Sequence, residues 1–359
     1  MTEVREFRID VPQADLDDLH DRLDRTRWAP QLPGGWARGV ESGWLRELVA
    51  YWRDGFDWRA QEARLNGFPQ FVTEVDGLDV HFLHVRSEDP GAVPLLLVHG
   101  WPNSFVEFVE VVGQLRHFHL VIPSVPGFGF SQAPAGRFTV ADAGRMFAAL
   151  MDRLGYTRYG VQGGDLGAYI APEVAKAAPD RAVGVYVNGG LGFPSEQDEL
   201  TDEERQGLSW MSEWSSGAVD HHGLLRAAPQ TFAYGWHDSP VGLLAWMMQK
   251  FREFAVTVDL PEQAIDRDLL LLNTAVYWFT GTSGSSSWFM YDTERFAWPV
   301  GQDLVPTGVY SGPPGIRRLA ERHNRVVHWP EGNPGGHFVA MEEPVVFAKD
   351  LSTFFGGLR

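Results

Sequence analysis

Gly163-Gly164-Asp165-Leu166-Gly167 lies between a short apolar run, Tyr159-Gly-Val-Gln162, and a helix-like stretch from Ala168 to Ala178 that stops before Pro179. Strand, sharp turn and helix in that order make a nucleophile elbow, which holds its central side chain strained and exposed beyond the strand end. Glycines on either side fit because a Cβ there would clash with the tight turn. Gly-x-Asp-x-Gly alone also makes ordinary turns; the flanking strand and helix single this one out. An aspartate at the apex narrows the chemistry. Attack by a carboxylate on an ester or amide would give only an unstable anhydride. At a saturated carbon with a good leaving group, such as an epoxide or alkyl halide, it gives an ordinary ester that water can later cleave.

The chain is 359 residues long and 44% hydrophobic, enough for one extended core with an inserted lid, or for two domains. No apolar run approaches the roughly 18 residues needed to span a bilayer. The N-terminus, Met1-Thr-Glu-Val-Arg-Glu, lacks the basic and apolar parts of a signal peptide, so a cytoplasmic location is expected. With no cysteine, disulfides and thiolate metal sites are excluded. A net charge of −17, from 47 acidic and 30 basic residues, argues against nucleic acid or an anionic membrane as partner. Fourteen tryptophans and 23 phenylalanines suit either an apolar substrate pocket or simply a large aromatic core. Oligomeric state is open, a homo-oligomer included.

Residues 1–70 read as an N-terminal arm of amphipathic helices, with Leu16, Leu19 and Leu23 near helical spacing. Residues 71–190 read as the first part of an α/β core. Phe71 to Val85 form two strands about a Val75-Asp-Gly turn, Leu95–Val98 and His119–Ile122 are buried strands, and a helix is expected from about Phe105 to Leu115. Alternation continues through Val187, which predicts a mostly parallel sheet with right-handed crossovers. Residues 191–300 break the rhythm and read as a helical lid, Pro240 to Phe254 being its clearest helix, with Tyr234 expected in the core. The rhythm resumes over 301–359, with strands at Val305–Tyr310 and Arg325–Trp329.

Two further motifs extend the elbow. His99-Gly100-Trp101-Pro102 follows the Leu95 strand, where a loop can offer a backbone N–H to a developing oxyanion together with the residue after the nucleophile. The two donors are then Trp101 and Leu166, and His99 reads as structural. Late in the chain, Gly335-Gly336-His337-Phe338 places a histidine where an α/β-hydrolase, whose chain order is nucleophile, acid, histidine, keeps its general base.

Together these motifs resemble the microsomal-type epoxide hydrolases, almost end to end. Further matches are Phe7-Arg-Ile-Asp-Val-Pro12, Arg25-Thr-Arg-Trp28, Pro123-Ser-Val-Pro-Gly-Phe-Gly-Phe-Ser131, Asp238-Ser-Pro-Val-Gly242, Tyr277-Trp278 and Thr280-Gly-Thr282. The resemblance implies an α/β-hydrolase core, an arm wrapping the lid, no cofactor, Asp165 as nucleophile, His337 as base and an apolar epoxide as substrate. Anchored members carry a membrane segment ahead of the arm, whereas this chain begins at the arm.

Departures from the family pattern touch the chemistry. Two lid tyrosines that assist the epoxide oxygen in the family are matched here by His221 and Met290. Tyr291 lies one residue later, and His221 could itself donate a proton. The acid that supports the histidine is matched by Gly315, which cannot orient or charge-stabilise an imidazole. Glu331 is the nearest carboxylate in sequence before the histidine, although Pro-Glu-Gly is also ordinary turn chemistry; Asn188, after the next strand, could orient but not stabilise charge. Three readings compete on these grounds. One is an epoxide hydrolase with a rearranged donor and acid, of which haloalkane dehalogenation using Trp278 or Trp288 is a variant. Another is a cyclising, non-hydrolytic epoxide-opening enzyme of specialised metabolism. The third is a catalytically impaired binding protein.

Overall fold

The structure is a computed structural model that describes residues 3–189, 191–195, 197–208, 221–255, 258–291, 300–310 and 315–358. Its strands are β1 (Arg5–Phe7), β2 (Gln70–Val75), β3 (Leu78–Val85), β4 (Pro94–Val98), β5 (His119–Pro123), β6 (Tyr159–Gly164), β7 (Ala182–Asn188), β8 (Pro306–Tyr310) and β9 (Arg325–His328). They form one sheet in the order β1-β2-β3-β5-β4-β6-β7-β8-β9. β1 to β3 pair antiparallel, as do β3 and β5, and every pairing from β5 through β9 is parallel. All five residues of Pro94–Val98 are buried, as expected for a strand covered on both faces. The Val75-Asp-Gly turn is as read: Val75 pairs with Leu78, while Asp76 and Gly77 both take positive φ, 51° and 81°.

Phe105 to Leu115 is not an α-helix. A 3₁₀ turn covers Phe105–Phe108, followed by separate hydrogen-bonded turns such as Val111 N–H to Phe108 O. Val106, Val109, Val111, Val112 and Gly113 are weak helix formers, which explains the lapse.

The arm consists of helices Gln13–Asp24, Ser42–Asp54 and Trp58–Leu65, with Leu16, Leu19 and Leu23 buried. Unexpectedly, the residues ahead of it add β1 to the sheet edge. The arm also grips the segment between Asp202 and Tyr291. Arg22 donates to the Asp238 carbonyl (2.7 Å), Trp44 Nε1 to Glu262 (2.6 Å) and Tyr51 to Asp268 (2.7 Å), while the Trp58 and Phe279 rings lie 4.6 Å apart.

In that segment, helix Pro240–Phe254 has the extent its pattern predicts. Ser239 caps it by accepting from Gly242 N–H, and Pro240 occupies its first position. Tyr234 is not core: it is 70% exposed, because helix Pro229–Asp238 turns Ala233 and Trp236 inward and leaves position 234 on the outer face. No helix among the described residues is long and apolar enough to cross a membrane.

At the sheet centre, β6 runs into helix Leu166–Ala177 through the elbow. A Cβ on Gly163 would stand 2.0 Å from the Gly167 carbonyl oxygen, and one on Gly167 would stand 2.1 Å from that of Val98. Backbone meets backbone here, so neither neighbour can yield cheaply. Gly163→Ala is expected to cost about 3 kcal/mol or more in urea unfolding; a loss under about 1 kcal/mol, the ordinary cost of a mild substitution, would contradict this crossing.

Candidate active site

Asp165 is the N-cap of helix Leu166–Ala177, at φ 52° and ψ −122°. A non-glycine residue rarely holds such a conformation unless its surroundings impose it. The bonds of its carboxylate show what it gains. Oδ1 accepts from Trp101 N–H (2.8 Å) and from Leu166 N–H (2.6 Å). Oδ2 faces His337 Nε2 at 3.1 Å. The two N–H donors read from sequence therefore converge on one carboxylate oxygen, and the histidine meets the other. Side chains of Asp165 and His337 are each 23% exposed, enough for a small molecule to reach. Burial pushes the Asp165 carboxyl up, but His337 and the two N–H groups outweigh it and hold it below its ordinary value of 3.8. It is ionised at neutral pH.

Gly100 makes the approach possible, since a Cβ there would lie 2.3 Å from that of Asp165. His99 is structural, as expected. Wholly buried, it accepts from Val125 N–H at Nε2 (3.0 Å) and donates from Nδ1 to Gly100 O (3.0 Å), which fixes a neutral tautomer. Desolvation draws its pKa down to about 4. Below it lies Glu107, 3% exposed, whose carboxyl takes Gly100 N–H at 3.4 Å. Desolvation pushes Glu107 up to about 8, so it stays protonated at neutral pH beside the Asp165 charge.

His337 sits between aromatic rings. Phe254, the last residue of helix Pro240–Phe254, stacks on it at 4.3 Å and 20°, and Phe338 meets it edge-on at 4.8 Å. Glu342 accepts from the N–H groups of Gly336 and Phe338, the residues flanking the histidine. His221 opens helix His221–Ala227 and lies flat on the Trp101 ring (5.2 Å, 15°). Desolvation first, then the charges of His222 and Lys250, hold its pKa well below the ordinary value, so it is a neutral imidazole facing the pair. Lys250 is wholly buried, paired with Glu253 and 4.8 Å over the Trp246 ring.

Glu331, Asn188 and Gly315 do not come together at the pair. Met290 and Tyr291 close the short helix Trp288–Tyr291, and their side chains lie outside the described residues. Glu331 is exposed on its turn and reaches no histidine, so it is no relay acid. Asn188 accepts from Gln162 Nε2 (3.2 Å), not from His337. At Gly315 a Cβ would lie 2.3 Å from the Leu191 carbonyl oxygen, because Ile316 N–H bonds to Gly192 O at 2.9 Å and draws the two backbones together. Main chain therefore fills the space beside Gly315. Trp278 lies beneath Arg22 of the arm at 5.8 Å, and Trp288 lines a small cleft with Pro126, Pro134 and Phe138.

Sequence reading passed over Glu107, Glu342 and Tyr169. Tyr169 lies four residues beyond Asp165, and its hydroxyl is buried with no partner among the described residues. The one available signal was an acid inside the apolar run Phe105-Val-Glu-Phe108.

An elbow between β6 and its helix, two backbone donors and a histidine after the last strand define an α/β-hydrolase. Residues 4–108 match the epoxide hydrolase N terminus family, and residues 93–274 match the alpha/beta hydrolase fold. A Stigmatella aurantiaca relative bearing an epoxide hydrolase name is 37% identical over 98% of this chain and 85% of its own length. Epoxide hydrolase 1 of Oryctolagus cuniculus is 32% identical over 98% of this chain and 89% of its own. The solved structure of Aspergillus niger epoxide hydrolase has a TM-score of 0.89 at 30% identity, covering 99% of this chain and 97% of that one. The chain belongs to the microsomal-type epoxide hydrolase family.

The Glu107 carboxyl gives a test of this buried layer. Folded, it keeps a proton that the unfolded chain releases above its ordinary 4.5. Its contribution is therefore full below pH 4.5 and is lost as pH rises to about 8, at up to about 1.4 kcal/mol per unit. Glu107→Gln should gain stability relative to the wild type between pH 5 and pH 8 in urea unfolding. An equal difference at both pH values would contradict the protonated state.

Proposed function

We propose that this chain hydrolyses a small apolar epoxide to a diol through an ester on Asp165. The observation that carries the reading is the division between the two carboxylate oxygens. Oδ1 is fixed by Trp101 and Leu166 N–H, which leaves Oδ2 as the nucleophile on the side of His337. Attack of Oδ2 on a ring carbon forms a C–O bond and breaks the epoxide C–O bond, whose oxygen leaves as an alkoxide and takes a proton. His221, at the place of a family tyrosine, is the group we assign to that oxygen, as a neutral N–H donor stacked on Trp101.

Water then attacks the carboxyl carbon of the ester while His337 accepts its proton. The oxyanion this creates is Oδ1, already in contact with both N–H groups, so no reorganisation is needed when the charge develops. Collapse expels the diol with Oδ2, protonated by His337; the carboxylic acid left behind gives up the water's second proton, which returns to His221, and the carboxylate is restored. Rings around the pair, namely Trp101, Phe254, Phe338 and Trp246, suit an apolar substrate.

The relatives bear epoxide hydrolase names, and nucleophile, oxyanion donors and base all stand in register. These observations favour hydrolysis over cyclisation or ligand binding alone. Intact-protein mass measurement after mixing with an epoxide tests it. His337→Gln should accumulate an adduct equal to one epoxide on the Asp165 peptide, because attack proceeds and hydrolysis stalls. Asp165→Asn should show none. No adduct on His337→Gln, with wild-type turnover intact, would overturn the covalent reading.

A further inference from the structure

Family members support the histidine base with an acid, and here that place is Gly315, closed to any side chain by the Leu191 carbonyl. Among the described residues, no side chain bonds His337 Nδ1, yet the loop carrying it is held in an unusual way. Glu342 sends one carboxylate oxygen to Gly336 N–H and the other to Phe338 N–H, the residues immediately before and after His337. Its own N–H returns to Phe338 O at 3.0 Å, which closes the clamp. The side chain lies against the glycine so tightly that a Cβ on Gly336 would stand 3.0 Å from its oxygen. A carboxylate placed this way both fixes the loop and sets a negative charge beside the imidazole.

We propose that Glu342 is the positioning residue that replaces the missing relay acid, orienting His337 through its flanking amides and stabilising the imidazolium formed during ester hydrolysis. The proposal rests on the hydrolytic reading above. A relay acid normally does two things, fixing the ring and stabilising its charge. Glu342 does the first through backbone rather than through Nδ1, and the second through its charge acting on the ring in a partly desolvated setting, where screening by water is weak. Burial pushes its carboxyl up and the two amides pull it down, leaving it somewhat above the ordinary range. Other charged or titratable groups facing this cluster are Asp165, His221 and Glu343. None of them bonds both sides of the histidine.

The effect should fall on one step only. Asp165 attacks the epoxide without His337 acting as base, whereas water attack needs it. Rapid-quench mass analysis separates adduct formation from adduct decay. Glu342→Gln keeps the side chain's size and loses its charge. It should leave adduct formation within about twofold of the wild type and slow adduct decay about tenfold or more. The pH midpoint of decay should also fall by about one unit, because an imidazole without a neighbouring anion protonates less readily. Glu342→Asp, which restores the charge on a shorter stem, should bring the midpoint back toward the wild type even if decay stays slow.

A purely structural role would slow decay in both variants without moving the midpoint, and that result overturns the proposal. Equal slowing of formation and decay also overturns it, since it would mean general damage to the site. Should Glu342→Gln fail to fold, Glu342→Ala, which removes the charge and the clamp together, decides by the same midpoint: a fall of about one unit would support the proposal, and slowed decay at an unmoved midpoint would overturn it. If the wild type forms no adduct and His337→Gln traps none, the hydrolytic reading has failed, and this proposal falls with it.

Discussion

Three backbone segments meet at distances that exclude any side chain: the end of β4 at Val98, the end of β6 at Gly163, and the first turn of helix Leu166–Ala177 at Gly167. Everything else at the site follows from that crossing. Because the helix starts directly against β4, its first N–H points at the same spot as the N–H of Trp101, just after β4. Because the turn is so tight, the residue between Gly164 and Leu166 must take positive φ, which aims its side chain at that spot. Aspartate tolerates the conformation better than most residues, and its carboxylate recovers the strain through two amide bonds.

The crossing also separates the roles of two chemically equal oxygens. One is committed to the amides in the resting state and in the tetrahedral intermediate alike. The other meets, among the described residues, only His337. A serine at this apex would leave the amides for the substrate's oxygen, whereas the aspartate keeps them for its own. In the proposed reaction, hydrolysis of its ester therefore occurs at the enzyme's carbon rather than the substrate's. The arm and the helices above the sheet serve this arrangement at a distance: Arg22, Trp44 and Tyr51 bind the segment that carries Phe254 onto His337 and His221 onto Trp101.

Legibility followed the range of the forces involved. Asp165, Trp101, Leu166 and His337 could be read from sequence because the turns that present them are local and leave glycine signatures. The Asp76-Gly77 hairpin and helix Pro240–Phe254 were legible for the same reason, one from turn chemistry and the other from cap and periodicity. What escaped is set by contacts distant in the chain. β1 exists only because β2 offers an edge some 65 residues later. Tyr234 is outside because of which face its helix buries, and Gly315 is closed by Leu191, about 120 residues earlier. Glu342 looks like an ordinary surface acid until the fold withdraws it from water, and Glu107 shows only its apolar neighbours as a sign.

The most direct measurement of the central claim is a single turnover of an epoxide in water enriched in heavy oxygen, with mass analysis of both product and the Asp165 peptide. Attack by Oδ2 and water entry at the carboxyl carbon predict a first diol free of label and one heavy oxygen in Asp165. A labelled first diol with an unlabelled Asp165 would mean that water attacks the epoxide directly, and would contradict a nucleophilic role for this carboxylate.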